Sequence, residues 1–216
     1  MTPETCWYKE VCRNDCSESC IRYQEMYSLC EKSGLPESRW YNTPLWPDDD
    51  DYVAFTALMS IKERITDFVD MGKNLYIYSP ITGNGKTTWS IKLLLAYFNQ
   101  IWAGNGFRCR GLFIHAPTFL TQLKDFNSVN NELNRIKNEL GEVDLVVWDD
   151  IASTNLSSYD HSQLLTYLDR RILAGKSNIF TGNLSWQEMN KSLGTRLTSR
   201  VWNNSDVFEF RGGDKR

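Results

Sequence analysis

From residue 52 onward, apolar positions follow two alternating patterns. Spacings of three and four residues predict helices over 53–71, 87–102, 117–126, 129–140, 158–174 and, in pieces, 185–202. Short apolar runs between them predict buried strands at 75–78, 111–115, 145–148, 178–181 and 207–210. Because strands alternate with helices, the pattern predicts an α/β fold with a parallel sheet covered by helices on both faces.

The segment from residue 33 to residue 51 has a different composition. It contains Gly34, Pro36, Pro44 and Pro47 and ends in the acidic run Asp48–Asp51. Residues that break helices and strands, followed by charge, are typical of a surface linker. We therefore expect the four aspartates to be solvated.

The net charge and the lengths of the apolar runs further limit the classes of function that this protein can have. With 24 basic and 27 acidic residues the net charge is −3, whereas a wholesale nucleic-acid coat protein would be basic, so any DNA contact must be a local patch. The longest apolar run, 93–98, is far shorter than the ~20 residues of a membrane span. The first 16 residues lack the apolar stretch of a signal peptide. We expect a cytoplasmic protein without a membrane partner.

Five of the six cysteines lie in the first 30 residues. In a reducing compartment such a cluster suggests metal ligation rather than disulfides. Cys30 shares a helical stripe with Tyr23, Met26 and Tyr27, which predicts a core position. The other four predict a structural zinc site held by a broken loop: Cys6, Cys12, Cys16 and Cys20. An iron–sulfur cluster and buried free thiols are the alternatives.

A glycine-rich loop stands between the first strand and a long helix. It comprises Gly83, Asn84, Gly85, Lys86, Thr87 and Thr88. Such a loop lets successive backbone N–H groups converge on phosphate oxygens at a helix N-terminus. Lys86 would bridge the β- and γ-phosphates, and Thr87 would ligate Mg²⁺. The phosphate-loop pattern G-x-x-x-x-G-K-[ST] starts with glycine, whereas this chain has Pro80, so the start of the loop must be built differently.

Two acids follow the third strand. Asp149 is expected to hold Mg²⁺ through water, and Asp150 to orient or deprotonate the attacking water. Because aspartate is one methylene shorter than glutamate, hydrolysis is expected to be slow. Asn183, after the fourth strand, is a candidate sensor of the γ-phosphate or a part of a helix N-cap.

Two arginines spaced four residues apart, Arg196 and Arg200, fall on one helical face. They could reach a phosphate in a neighbouring subunit, or they could form a solvated face. Basic and aromatic residues that follow the second strand are candidates for contact with single-stranded DNA: Lys124, Phe126, Arg135 and Lys137. A solvated helix pair explains them equally well.

The order of these motifs resembles the DnaC/DnaI-type loaders of replicative helicases, which are AAA+ ATPases. The resemblance covers residues 33–216 and includes 33–36, 72–75, the phosphate loop, 148–152, 180–185 and 194–200. It places Lys86 and Thr87 on Walker A, Asp149 and Asp150 on Walker B, Asn183 on sensor 1, Arg196 and Arg200 on the arginine-finger region and Arg216 on sensor 2.

The resemblance implies an ATP-bound ring or spiral that binds a hexameric DnaB-type helicase and places it on single-stranded DNA, in a bacterial cell. A compact loader of this size fits a phage or prophage. The predicted regions are a Cys-rich zinc-binding segment 1–32, a linker and nucleotide-site flank 33–51, and an AAA+ ATPase domain 52–216. The alternatives are a transposition helper ATPase that coats DNA, and a P-loop kinase.

Overall fold

A parallel five-stranded sheet forms the centre of the protein, as the alternating pattern predicts. The structure is a computed structural model that describes residues 6–12, 17, 19–41, 43–125, 130–151 and 156–215. The strands are β1 (Asn74–Tyr78), β2 (Gly111–His115), β3 (Leu145–Asp149), β4 (Ser177–Gly182) and β5 (Ser205–Glu209). Their order across the sheet is β2-β3-β4-β1-β5. The first and third strands are therefore neighbours of β4 rather than of each other.

Helices cover both faces of the sheet. The described helices are α1 (Ile21–Lys32), α2 (Tyr52–Glu63), α3 (Ile65–Asp70), α4 (Lys86–Ile101), α5 (Ala116–Leu123), α6 (Asn131–Glu139), α7 (Ser158–Leu173) and α8 (Trp186–Thr198). A π-helical turn, Ser199–Asn203, follows α8, and 3₁₀ turns occupy Glu37–Arg39 and Asp49–Asp51. No helix among the described residues is long and apolar enough to span a membrane.

Alternate residues of each strand point to opposite sides of the sheet. On β3, Val147 packs in the core beneath α1 to α4, whereas Val146 and Trp148 pack in the core beneath α5 to α8. This two-sided burial explains why the strands are almost wholly apolar, and it confirms the prediction that helices cover both faces.

The single helix predicted over 53–71 is wrong, because the chain breaks at Arg64 (φ −119°, ψ 39°) and continues as α3. Gln100 of α4 satisfies the backbone at this break. Its amide nitrogen donates to the carbonyls of Lys62 (3.1 Å) and Glu63 (3.2 Å), and its amide oxygen accepts from Thr66. A side chain from another helix thus supplies partners that helix periodicity cannot reveal.

The N-terminal helix α1 shares the core of α2 to α4. Met26, Leu29 and Cys30 are buried there, so the core position predicted for Cys30 is confirmed. Burial raises the pKa of the Cys30 thiol to about 12. This part of the chain therefore gains its order from apolar packing on α4.

The predicted zinc site has no support in the described structure. Cys16 lies outside the described residues, Cys12 is exposed, and Cys6 accepts a hydrogen bond from the backbone N–H of Tyr8. Within residues 6–12, 17 and the other described ranges, no group of three or more His, Cys, Asp or Glu side chains could hold a metal ion. The metal-binding appendage stays a prediction.

Candidate nucleotide-binding site

The glycine-rich loop connects β1 to α4 and curls through two left-handed glycines, Gly83 (φ 76°) and Gly85 (φ 99°). A Cβ atom on Gly85 would lie 2.7 Å from the Leu45 side chain, so both conformation and space require glycine there. Gly85 directly precedes Lys86, the first residue of α4, so the loop presents its N–H groups at a helix N-terminus.

The phosphate-loop pattern has glycine at the position of Pro80. Here the preceding residue, Ser79, shapes the start of the loop. Its hydroxyl accepts a hydrogen bond from the N–H of Ile81 (3.1 Å) and another from the buried side-chain amide of Asn84. These two bonds turn the chain around Pro80, which lacks an N–H group of its own. The serine thus explains how a proline is accommodated in a phosphate loop.

The Lys86 ammonium lies inside the loop. It donates to the carbonyl of Ile81 (2.7 Å) and to the side-chain oxygen of Asn84 (3.3 Å). Burial lowers the pKa of Lys86 to about 8, against the opposing influence of the Asp150 and Asp149 carboxylates nearby. A phosphate that binds in the loop would contact a partly desolvated Lys86 ammonium whose two hydrogen-bond acceptors are both neutral.

Asp149 ends β3 next to Thr87 of the loop. The Thr87 hydroxyl donates to Asp149 Oδ1 at 2.7 Å, and the Thr181 hydroxyl of β4 donates to the same oxygen at 2.7 Å. Burial raises the pKa of Asp149, which is 6% exposed, while the hydrogen bonds from Thr181 and Thr87 lower it. The structure therefore brings together the threonine and the aspartate that the sequence singled out for Mg²⁺. It also adds Thr181, which was not singled out, as a second donor to the aspartate.

The next residue, Asp150, is held in the left-handed region (φ 59°). The Thr181 hydroxyl accepts from its N–H at 2.9 Å, and the Thr181 carbonyl accepts from the N–H of Ile151 at 3.0 Å. Asn183 follows β4, and its side-chain oxygen is buried without a hydrogen-bond partner among the described residues. A buried orphan acceptor at the edge of a site is expected to pair when a ligand or water enters.

Lys86 and Thr87 border a cavity of about 390 Å³. One wall is the glycine-rich loop, and the other is the linker, through Arg39, Thr43, Pro44 and Leu45. Lys215, near the chain end, completes the lining. The size and the two walls suit a nucleotide whose phosphates lie on the loop and whose base lies against the linker.

The prediction that all four aspartates of the acidic linker are solvated is wrong. Two of them bind the C-terminal segment, an arrangement that we call the clasp. Asp51 is fully buried and accepts from the N–H groups of Arg211 (2.7 Å) and Gly212 (3.0 Å). Asp48 pairs with the Lys215 ammonium at 3.1 Å. Asp49 and Asp50 are exposed. The clasp could not be foreseen, because it joins residues at least 160 positions apart.

The same clasp brings a cation into the nucleotide pocket. The Lys215 N–H donates to the Gly83 carbonyl at 3.0 Å, and its ammonium donates to the Trp46 carbonyl at 2.9 Å. The sequence placed Arg216 in this role, but Arg216 lies outside the described residues. Lys215 is thus the functional candidate that sequence analysis missed.

The two candidate trans-acting arginines have different surroundings. Arg200, in the π-helical turn, bonds Asp169 of α7 at 2.7 Å. Arg196 is exposed, two residues after the kink at Gly194 (φ 73°) in α8. Arg196 is therefore the one whose side chain is available to a second molecule.

The lowered pKa of Lys86 predicts that nucleotide binding takes up a proton. Bound phosphate stabilises the ammonium and raises its pKa, so between pH 8 and 9.5 binding should take up about half to one proton, and affinity should fall as pH rises above 8. Titration calorimetry with a non-hydrolysable ATP analogue, in two buffers of different ionisation enthalpy, measures this uptake. Identical binding heats in the two buffers at pH 8.5 would contradict this proton uptake. A Lys86→Arg variant that binds the analogue should take up no proton, because arginine stays charged.

The order of the strands and the glycine-rich loop after β1 give the chain a fold of the P-loop, AAA+ type. Among solved structures, the chain resembles a DnaC helicase loader (TM-score 0.65, 18% identity, 82% of this chain and 100% of that one). It also resembles DnaI (0.65, 18%, 84% and 94%) and AMPPCP-bound DnaA from Aquifex aeolicus (0.58, 18%, 79% and 51%). No protein-family profile and no curated protein matches the sequence. The predicted resemblance to helicase loaders is confirmed at the level of the fold.

Proposed function

We propose that this protein binds and hydrolyses ATP·Mg²⁺ between the subunits of an oligomer and thereby loads a hexameric DnaB-type helicase onto single-stranded DNA. The observation that carries the proposal is that Lys86 and Thr87 line a cavity which the linker closes, while the Thr87 hydroxyl donates to Asp149 at 2.7 Å. The likeness to DnaC and DnaI, which extends over 94–100% of those chains, supports a loader in particular.

The residues present fit a magnesium ion. The Thr87 hydroxyl and the Asp149 carboxylate are hard oxygen ligands, and they already touch. Mg²⁺, when bound, would neutralise phosphate charge. The Thr181 hydroxyl would keep Asp149 in place for that ligand.

The remaining groups have separate tasks in hydrolysis. Lys86 would hold the β- and γ-phosphates, and Lys215 would add a second cation at the opposite wall of the cavity. Asp150 would orient the attacking water and accept its proton, and Asn183 would hydrogen-bond that water or the γ-phosphate. The charge that develops in the transition state also requires stabilisation, which an arginine from another subunit would supply.

That requirement distinguishes Arg196 from Arg200. Arg196→Ala should lower the ATPase rate of the assembled protein by about 10³-fold with nucleotide affinity unchanged, because its side chain is exposed to a neighbour. Arg200→Ala should cost mainly stability, through loss of the Asp169 contact. Mixing Arg196→Ala with Lys86→Ala subunits should restore part of the activity, since each supplies what the other lacks. No rescue, or indifference to Arg196→Ala, would favour a monomeric kinase.

The loader function is tested by co-purification with the replicative helicase of the host, with and without ATP. ATP-dependent capture that Lys86→Ala abolishes, together with increased helicase occupancy on single-stranded DNA, is the expected result. Stimulation by double-stranded DNA without any helicase contact would favour the transposition helper instead.

A further inference from the structure

A second groove, of about 370 Å³, lies away from the glycine-rich loop, between residues 6–12, α1 and α4. We refer to it as the α1 groove. Three cations and three aromatic side chains are prominent in its lining: Arg22, Lys62, Lys92, Trp7, Tyr8 and Trp40. None of the described residues that line it is an aspartate or a glutamate. In a chain of net charge −3, this is a local basic patch.

The cations of the α1 groove lie close together and are partly desolvated. Lys62 and Lys92 are both half-buried, and burial, followed by the neighbouring Lys62 charge, lowers the pKa of Lys92. The Nε of Arg22 is buried and has no hydrogen-bond partner in the described part of the chain. Like charges in such surroundings repel, and an anion placed between them relieves that repulsion. The groove therefore favours an anionic ligand.

Aromatic rings extend from the groove over the neighbouring surface. The Trp7 ring stacks on Tyr41 with centroids 5.5 Å apart and packs 5.2 Å from Tyr23. Tyr41 is 42% exposed, and Tyr27 farther along α1 is 37% exposed. Flat, partly exposed rings beside cations provide the two contacts that single-stranded nucleic acids use, stacking of bases and neutralisation of phosphates.

We propose that the α1 groove binds single-stranded nucleic acid, with phosphates on Arg22, Lys62 and Lys92 and bases against Trp7 and Tyr41. This deepens the proposed loader function by naming where the strand is held, but binding here requires no ATP. Two of the three cations expected from the sequence to contact DNA are paired with carboxylates, Lys124 with Asp160 (2.8 Å) and Arg135 with Glu132 (2.6 Å).

The test is fluorescence anisotropy of a labelled 15-residue oligothymidine with the full chain in the absence of nucleotide. The double variant Lys62→Gln/Lys92→Gln should bind at least tenfold more weakly, and its plot of log affinity against log salt should be shallower by about 1.4, or about 0.7 per lost phosphate contact. The matched control, Lys73→Gln/Lys191→Gln, removes the same charge from two exposed lysines elsewhere and should leave the slope unchanged. Equal weakening in both double variants would overturn the proposal.

A second measurement locates the strand. Photocrosslinking of an oligonucleotide that contains bromodeoxyuridine should label peptides from residues 6–12 or 20–41, and labels confined to 116–140 would overturn the proposal. Tighter binding of polyglutamate than of oligothymidine of equal charge would instead assign the groove to an acidic protein. Lys86→Ala should retain oligothymidine binding, so failure of the ATPase proposal and failure of this one are separable.

Discussion

Asp150→Asn will lower the rate of ATP hydrolysis by about 10²–10⁴-fold and leave ATP binding nearly unchanged. In the proposed mechanism this carboxylate takes the proton of the attacking water, and general-base catalysis contributes a factor of this size. Binding should persist because Lys86, Thr87 and Asp149 are untouched. Steady-state phosphate release and the affinity for a fluorescent ATP analogue, measured on the same preparation, check both parts.

Asparagine is the appropriate replacement because of the backbone at this position. Asp150 has φ 59°, a conformation that asparagine adopts readily and β-branched residues do not. The bond from its N–H to the Thr181 hydroxyl (2.9 Å) is also kept. Asp149→Asn is the companion variant, and it should weaken Mg²⁺-dependent binding as well as the rate. Hydrolysis by Asp150→Asn within threefold of the unmodified protein would show that another group activates the water.

Arg171→Met will lower the free energy of unfolding by about 3–5 kcal/mol. Arg171 is fully buried at the end of the sheet away from the nucleotide site. Its guanidinium donates to acceptors on three segments: the carbonyls of Leu140 (2.7 Å), Val143 (3.0 Å) and Ser177 (2.6 Å) and the side chain of Asn178 (2.7 Å). Each buried acceptor left unpaired costs about 1–3 kcal/mol.

The expected loss is smaller than the sum of these contacts because removal of the charge also removes a desolvation cost. Burial lowers the pKa of Arg171 to about 9, which reflects that cost. For a chain of this length the midpoint should fall by about 6–20 °C. The neighbouring Arg170→Met is the control, since Arg170 pairs with Glu142 at an exposed site, and it should change stability by less than about 1 kcal/mol. A midpoint for Arg171→Met within 2 °C of the unmodified protein would contradict the prediction.

The adjacent residues Arg170 and Arg171 illustrate what sequence analysis cannot predict. Arg170 and Arg171 are adjacent in the last turn of α7 and look alike as helix C-terminal cations, yet one is solvated and the other organises the ends of β3 and β4. The break at Arg64 is similar, because the side chain that satisfies its backbone carbonyls is Gln100, more than 30 residues away. A local sequence pattern cannot predict contacts between residues that come together only when the chain folds.

The sequence by itself determined the alternation of strands and helices, the glycine-rich loop and the acids at the end of β3. Hydrophobic period and local backbone chemistry encode these features within windows of a few residues. Only the tertiary structure decided that β4 lies between β1 and β3, so that the Thr181 hydroxyl bonds both Asp149 and Asp150. It also decided that Asp48 and Asp51 clasp the C-terminal segment and that three cations from separate helices meet in the α1 groove. These features depend on pairings between distant segments, which burial and hydrogen bonding select among the many that the sequence leaves open.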